Sequence, residues 1–411
     1  MADEPLNNRL DALLTVRGAF GSASVVVTVA TMSLVASGCA GDIQANSPPR
    51  TTTAAEETTG TSSGKPPGTV APSTLPEAPA SLARLAGGLI VTGVDRSAPT
   101  SPTLVRLAQA GEIGGVIVID TSARDVIPVL KPLQAAAARG GNPRLIVAVD
   151  QEGGPVRRFQ DLGPTSSHAE LGAQPISAVY ATALKAGCAL ARRGVTLDLA
   201  PVADIASRRD GFIARSGRSF GPSARQASPR VEAFVKGLGG GGVGATLKHF
   251  PGLGTGVATT DATLAEALPD PGDTSPFLAG IRAGAAAVMI SSASYTDGPF
   301  RSQLPAFVNT TTTGWLRSRG FDGVLITDDL STDAIRNDAR LPDPAVQAVK
   351  AGIDILLFVD ATGKDAQHAT AALVAAVRDG RLTRERLQES WSRRQRLGAQ
   401  TTALGEHNAC G

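Results

Sequence analysis

Lys248-His249-Phe250-Pro251-Gly252-Leu253-Gly254 follows directly on the apolar run 244–247, and Thr327-Asp328-Asp329-Leu330-Ser331 follows on the run 323–326. Each places charged groups at the carboxyl end of a short apolar stretch. Working outward, six more such runs lie at 88–92, 115–119, 145–149, 195–199, 287–290 and 354–358. Stretches rich in Ala, Leu, Arg, Lys and Glu at helical spacing separate most of them, for example 178–193 and 366–378. Continuous apolar strands separated by helices point to a parallel sheet covered on both faces. Eight such units between 81 and 400 predict an α/β fold, a single (β/α)8 barrel. A doubly wound open sheet is the competing architecture.

Polar residues follow these runs repeatedly. They are Asp150, Asp204, Lys248 with His249, Ser291 with Ser292, Asp328 with Asp329, and Asp360. A barrel builds its site from the carboxyl ends of its strands. Polar groups converging there from six strands suit a polyhydroxylated ligand. Asp and Ser also cap helices, and Asp360 and Ser291 are read that way. Asp150, Lys248 and Asp328 lie inside longer motifs and are read as functional.

Four segments carry a resemblance to a known family. They are Asp150-Gln151-Glu152-Gly153-Gly154-Pro155-Val156-Arg157-Arg158-Phe159, Asp198-Leu199-Ala200-Pro201-Val202-Ala203-Asp204, Arg218-Ser219-Phe220-Gly221, and the two stretches quoted first. In this order they resemble the family-3 glycoside hydrolases, in the bacterial β-N-acetylglucosaminidase branch with its mycobacterial lipoprotein members. The resemblance covers about 85–380. It implies Asp328 as catalytic nucleophile and Asp150, Arg158, Arg218, Lys248 and His249 as sugar-binding residues. It also implies a β-linked N-acetylglucosaminide from cell-wall (peptidoglycan-derived) material as substrate, and no cofactor. The chemistry coheres: a retaining glycosidase attacks the anomeric carbon with a carboxylate. Neighbouring cations keep that carboxylate ionised and bind ring hydroxyls. Asp329 is read as capping or orienting its neighbour.

The chain departs from the family pattern at the proton donor. The Lys-His-Phe-Pro-Gly-His-Gly turn has Leu253 at its second histidine position. The Asp-Ser-His triplet that supplies the acid/base reads Asp261-Ala262-Thr263. Asp261 remains as a candidate catalytic residue, with Glu266 as another source of the proton. The histidine usual after the sixth strand is replaced by Ser291-Ser292. Losing a general acid costs on the order of 10²–10⁴-fold for a poor leaving group. The alternatives are therefore a catalytically weak or inactive carbohydrate-binding protein, a β-glycosidase of other sugar specificity, or a phosphorolytic variant.

The ends of the chain carry a separate message. Arg9 and Arg17 precede an apolar stretch at about 20–35, followed by Ala36-Ser37-Gly38-Cys39. Small residues directly before a cysteine resemble a bacterial lipoprotein signal, despite Asp3, Glu4 and Asp11. This predicts acylation at Cys39 and an exported, cell-membrane-anchored protein facing the cell wall. A transmembrane anchor is the competing reading, but Gly and Ser interrupt the run. Residues 40–80 are rich in Thr, Ser, Pro and Gly and read as a disordered tether. The expected organisation is a leader at 1–39, a linker at 40–80, the barrel at 81–400 and a tail at 401–411.

Composition narrows the partners. With 39 basic and 37 acidic residues and a net charge of +2, the chain has no basic block, which argues against nucleic acid. A monomer is expected. No metal or nucleotide motif is present. His168 follows 164–167 and is read as a loop residue. Cys188 reads as a small buried hydrophobe and Cys410 as a free thiol or intermolecular partner. A Cys188–Cys410 bond is geometrically possible.

Overall fold

The computed structural model describes residues 78–79, 81–95, 100–119, 125–257 and 272–410. Cys39, the leader, nearly all of the linker, and Asp261, Thr263 and Glu266 lie outside the described residues. The eight runs form eight strands: β1 (Ile90–Val94), β2 (Gly115–Val118), β3 (Ile146–Val149), β4 (Leu197–Asp198), β5 (Gly244–Phe250), β6 (Ala287–Ile290), β7 (Val324–Asp329) and β8 (Ile355–Phe358). Each pairs in parallel with its sequence neighbours, and β1 pairs with β8, so the sheet closes into a barrel as expected. A helix follows every strand, from Pro102–Ala110 after β1 to Lys364–Arg378 after β8. Proline in the first turn of Pro102–Ala110, Ser275–Arg282 and Pro344–Ala351 fixes φ where no amide donor is needed.

Strand bounds differ from expectation most at four strands; β5 runs on to Phe250 and β7 to Asp329, so Lys248, His249, Asp328 and Asp329 lie within strands rather than after them. β1 starts at Ile90 rather than 88, because Gly88 closes the preceding helix, Leu82–Gly87. β4 is paired only over Leu197–Asp198 of the run 195–199. Both faces of the sheet are buried, which is why these strands read as continuous apolar runs. Side chains alternate across it. Ile146 and Ala148, Ala287 and Met289, and Val324 and Ile326 fill the barrel interior. The opposite faces pack against the helices in a second, larger cluster. Extending the alternation past the interior layers puts Asp150 and Asp328 on the inward side at the carboxyl rim.

The opposite rim is closed by the last helix, Arg384–Glu406, which runs through the boundary expected at 400. Buried Asp354 anchors it by accepting hydrogen bonds from Arg386 (2.9 Å) and Ser390 (3.0 Å), and also accepts one from Arg317 of the helix Thr310–Ser318 (2.5 Å). Arg394 inserts beneath the strands and donates to the carbonyls of Gly114 and Arg144 at 2.7 Å each. Beyond this helix the chain returns to the core. Ala409 N–H donates to Gly240 O, and Cys410 is disulfide-bonded to Cys188 on the helix Ile176–Arg192.

The two cysteines are thus neither a plain hydrophobe nor a free thiol. Their bond spans 222 residues of sequence. Cross-links over long loops stabilise chiefly by restricting the unfolded chain, typically by about 2–5 kcal/mol. A Cys410→Ser variant should therefore melt roughly 5–10 °C lower, given the usual few degrees per kcal/mol. Because the bond lies at the amino-end rim, turnover at low temperature should not change. Thermal melts with and without reductant check this: identical melts would show that the bond contributes nothing.

Candidate active site

Beyond β3 the chain makes a hairpin, Gln151–Gly153 with Val156–Arg157. The Gln151 side chain ties this excursion down. Its amide accepts Phe159 N–H and donates to Phe159 O and Gly163 O, all at 3.0 Å. Asp150 and Glu152 are thereby presented together, and Arg158 is brought back beside Asp150, their charged groups 3.9 Å apart. β5, two strands along the barrel from β3, supplies Lys248. Its ammonium lies 2.6 Å from Asp150 Oδ1 and 2.7 Å from Glu152 Oε1. Arg218 closes the row with a two-pronged bond to Glu152, at 2.8 and 2.7 Å.

This network is almost dry. Lys248 is 2% exposed and Glu152 is 1% exposed. Burial alone would raise the Glu152 pKa, but Arg218 and Lys248 outweigh it and hold the carboxyl well below the usual range. Burial would likewise lower Lys248, and Asp150 and Glu152 reverse that and raise it. Both groups are therefore charged at neutral pH.

His249 extends the row on its other side. Its Nδ1 lies 2.8 Å from Asp204 Oδ2, and its Nε2 lies 3.5 Å from an Arg218 nitrogen. These partners assign the proton to Nδ1. Asp204 Oδ1 also accepts the amides of His249 (3.1 Å) and Leu253 (3.0 Å), fixing the turn after β5. Tyr295 braces the same turn by donating to Gly252 O at 3.0 Å. Gly254 packs so tightly that a Cβ there would lie 1.6 Å from Ile205 O, which only glycine tolerates.

Asp150, Arg158, Arg218, Lys248, His249 and Asp328 line one pocket of about 500 Å³, sized for a small ligand. Its apolar wall includes Met289, Leu357, Leu253 and Phe212. Asp328 Oδ1 accepts Asp329 N–H at 3.0 Å. Asp329 in turn accepts the amides of Ser331 (2.8 Å) and Val359 (3.0 Å), tying β7 to β8 behind its neighbour. A carboxylate, two ammonium- or guanidinium-lined carboxyls and an oriented imidazole around such a space can bind several hydroxyl groups with charge-assisted bonds. Among the described residues no cluster of His, Cys, Asp or Glu is arranged to hold a metal ion.

Other sequence expectations fare differently. Ser291 and Asp360 are not helix caps. Ser291 accepts Ala293 N–H, and Asp360 accepts the Thr362 amide and hydroxyl, so both shape local turns. His168 is not a loop residue. It opens the short helix His168–Gly172, is buried, stacks on Phe220 at 4.3 Å and bonds Arg218 O through Nδ1 at 2.9 Å. Burial lowers its pKa to about 4, so it stays neutral while holding the Arg218 backbone. The sequence assigns Glu152 no role, and Asp204 only a place at the rim. The available signals were their places inside quoted motifs, a charged residue two beyond Asp150 and one three beyond a proline.

The family model described as the glycosyl hydrolase family 3 N-terminal domain matches residues 97–397. A protein of Arthroderma benhamiae described as an uncharacterized secreted glycosyl hydrolase is 32% identical over 320 residues, spanning 73% of this chain and 89% of its own. A beta-hexosaminidase of Stenotrophomonas maltophilia is 34% identical over 280 residues, spanning 60% of this chain and 79% of its own. The crystal structure of a beta-N-acetylhexosaminidase from Beutenbergia cavernae matches with a TM-score of 0.70 at 31% identity, covering 79% of this chain and 100% of that one.

Proposed function

The chain belongs to glycosyl hydrolase family 3, and on that premise we propose that it cleaves β-linked N-acetylglucosamine from cell-wall glycans, with retention, through Asp328. The observation that carries this reading is the shared pocket, where Asp328 faces the same space as the ion-paired row Arg158, Asp150, Lys248, Arg218 and His249. The hexosaminidase names of its relatives support an amino sugar, and the motif resemblance narrows it to N-acetylglucosamine.

In this reading an Asp328 oxygen attacks the anomeric carbon and the bond to the leaving oxygen breaks. The leaving group departs with a proton or as its anion. Water then displaces Asp328, releasing the sugar and a proton. Thr263 cannot supply the first proton as an imidazole would. A substrate with a weakly basic leaving group needs that proton least.

A second reading, a carbohydrate-binding protein with little turnover, is favoured by Thr263 itself. Comparing an activated aryl β-N-acetylglucosaminide with a β-linked amino-sugar disaccharide separates the two. We expect the aryl glycoside to be turned over and the disaccharide to react on the order of 10²–10⁴-fold more slowly. Equal rates would reveal a donor, for which Asp261 and Glu266 are the first substitutions. No turnover of either, with retained sugar binding, would replace the first reading by the second.

A further inference from the structure

Asp198 ends β4 immediately behind the sugar-binding row, yet it does not line the pocket. The alternation explains why. Leu197 and Leu199 belong to the barrel interior, so Asp198 faces outward, into the layer between strands and helices. It is fully buried there. Its Oδ1 accepts Gln151 N–H at 3.0 Å, and its Oδ2 has no partner among the described residues.

That single bond has a specific place in the architecture. Gln151 lies two residues past the end of β3, where the ladder to β4 ends with Val149 opposite Asp198. The Gln151 amide is buried and would otherwise be an orphan donor. Its neighbours in sequence are Asp150 and Glu152, the two carboxylates that share Lys248. The Gln151 side chain holds the rest of the hairpin, including the approach to Arg158. Whatever fixes the Gln151 amide therefore fixes the direction in which both carboxylates leave the barrel.

We propose that Asp198 is a positioning residue for the sugar site, setting the Asp150–Gln151–Glu152 turn from behind. Its charge state matters as much as its bond. Burial raises its pKa to about 8. The charged groups acting on it are Lys248, which lowers it, and Asp150 and Glu152, which raise it further. At neutral pH Asp198 is thus an uncharged acid, and Lys248 is shared by two carboxylates rather than three. Ionising Asp198 draws the ammonium backward and loosens the row that holds the sugar.

The test compares wild type with Asp198→Asn, which keeps the acceptor and the shape without a charge, and Asp198→Ala, which removes the acceptor. With an aryl β-N-acetylglucosaminide, wild-type KM should climb above about pH 8 while kcat changes little. D198N should keep the neutral-pH KM and lose that climb. D198A should raise KM by up to roughly 150-fold at every pH, because an amide left without its acceptor lets the turn relax and sugar binding must restore it. A second readout needs no substrate. The folded acid retains its proton between about pH 4 and 8 and the unfolded one does not, so stability relative to D198N should fall with rising pH. The folding equilibrium constant should drop about tenfold per pH unit in that window and level off above it.

A D198N enzyme that keeps the alkaline rise in KM, or one as impaired as D198A, overturns the assignment. The KM arm rests on the glycosidase reading. If no glycoside is turned over, that counts against the function alone, and the stability arm decides: coincident pH curves overturn the assignment and divergent ones support it.

Discussion

An Asp328→Ala variant should lose at least about 10³-fold in kcat on an aryl β-N-acetylglucosaminide, with its melting temperature little changed, as expected when a covalent nucleophile is removed. A loss of that size is about 4 kcal/mol of transition-state stabilisation. The geometry selects Asp328 over the other carboxylates of the site. Glu152 borders the pocket but is only 1% exposed, and its oxygens are committed to Arg218 and Lys248. Asp150 lies 2.6 Å from the Lys248 ammonium, which suits it to hold hydroxyls rather than to attack. Asp204 is committed to His249 and two backbone amides. Asp328 stands on the inward side of β7, lines the pocket and is backed by Asp329, which is itself fixed by β8. Its removal should spare KM relative to kcat, because the ring-binding row stays in place. The anomer released first by the wild type, read by NMR, is an independent check: retention is expected, and inversion would require a water between carboxylate and sugar. Undiminished hydrolysis by the alanine variant would remove Asp328 from the mechanism.

The barrel was legible because its strands carry their own signature. A run such as 287–290 is buried on both faces, so apolar residues are continuous and its ends are sharp. The run at 195–199 was less informative: only Leu197–Asp198 pairs, since the chain turns early to bring Asp204 under His249. The row that lines the pocket was legible through motifs, not through physics visible in one residue at a time. Supporting groups were harder to see. Glu152, Asp204, His168 and Asp198 act through bonds to side chains or backbone atoms 45–96 positions away, and a chain read in order holds no trace of such partners. The Cys188–Cys410 pairing could be named from sequence but not chosen, as 222 residues separate its halves. Sequence leaves Cys410 a free thiol or an intermolecular partner, and the course of the last helix carries it to Cys188.

A Lys248→Met variant should be the most destabilising single change in the site. Methionine keeps most of the side-chain volume, so the effect isolates the charge. Removing one partner of a buried ion pair typically costs about 3–5 kcal/mol, because the remaining charge stays buried. Here two carboxylates lose their shared cation at once, with Arg218 left to Glu152 and Arg158 left to Asp150 at 3.9 Å. A fall in melting temperature of roughly 6–15 °C follows from a few degrees per kcal/mol. Adding Glu152→Gln to the same chain should recover part of the loss, since the second change removes a charge that no longer has its partner. The pH dependence gives an independent sign. The Glu152 pKa is depressed in the folded protein, so its contribution is present above its unfolded pKa and is lost as pH falls through the folded one. Taking away Lys248 shrinks that depression. The acid limb of the Lys248→Met stability curve should accordingly be shallower and level off at higher pH than the wild type's, and the double variant should show less of it still. A double-mutant cycle by denaturant titration reads the coupling directly. Additive effects of the two substitutions would mean that Lys248 and Glu152 do not stabilise each other and that the buried row is held by packing alone.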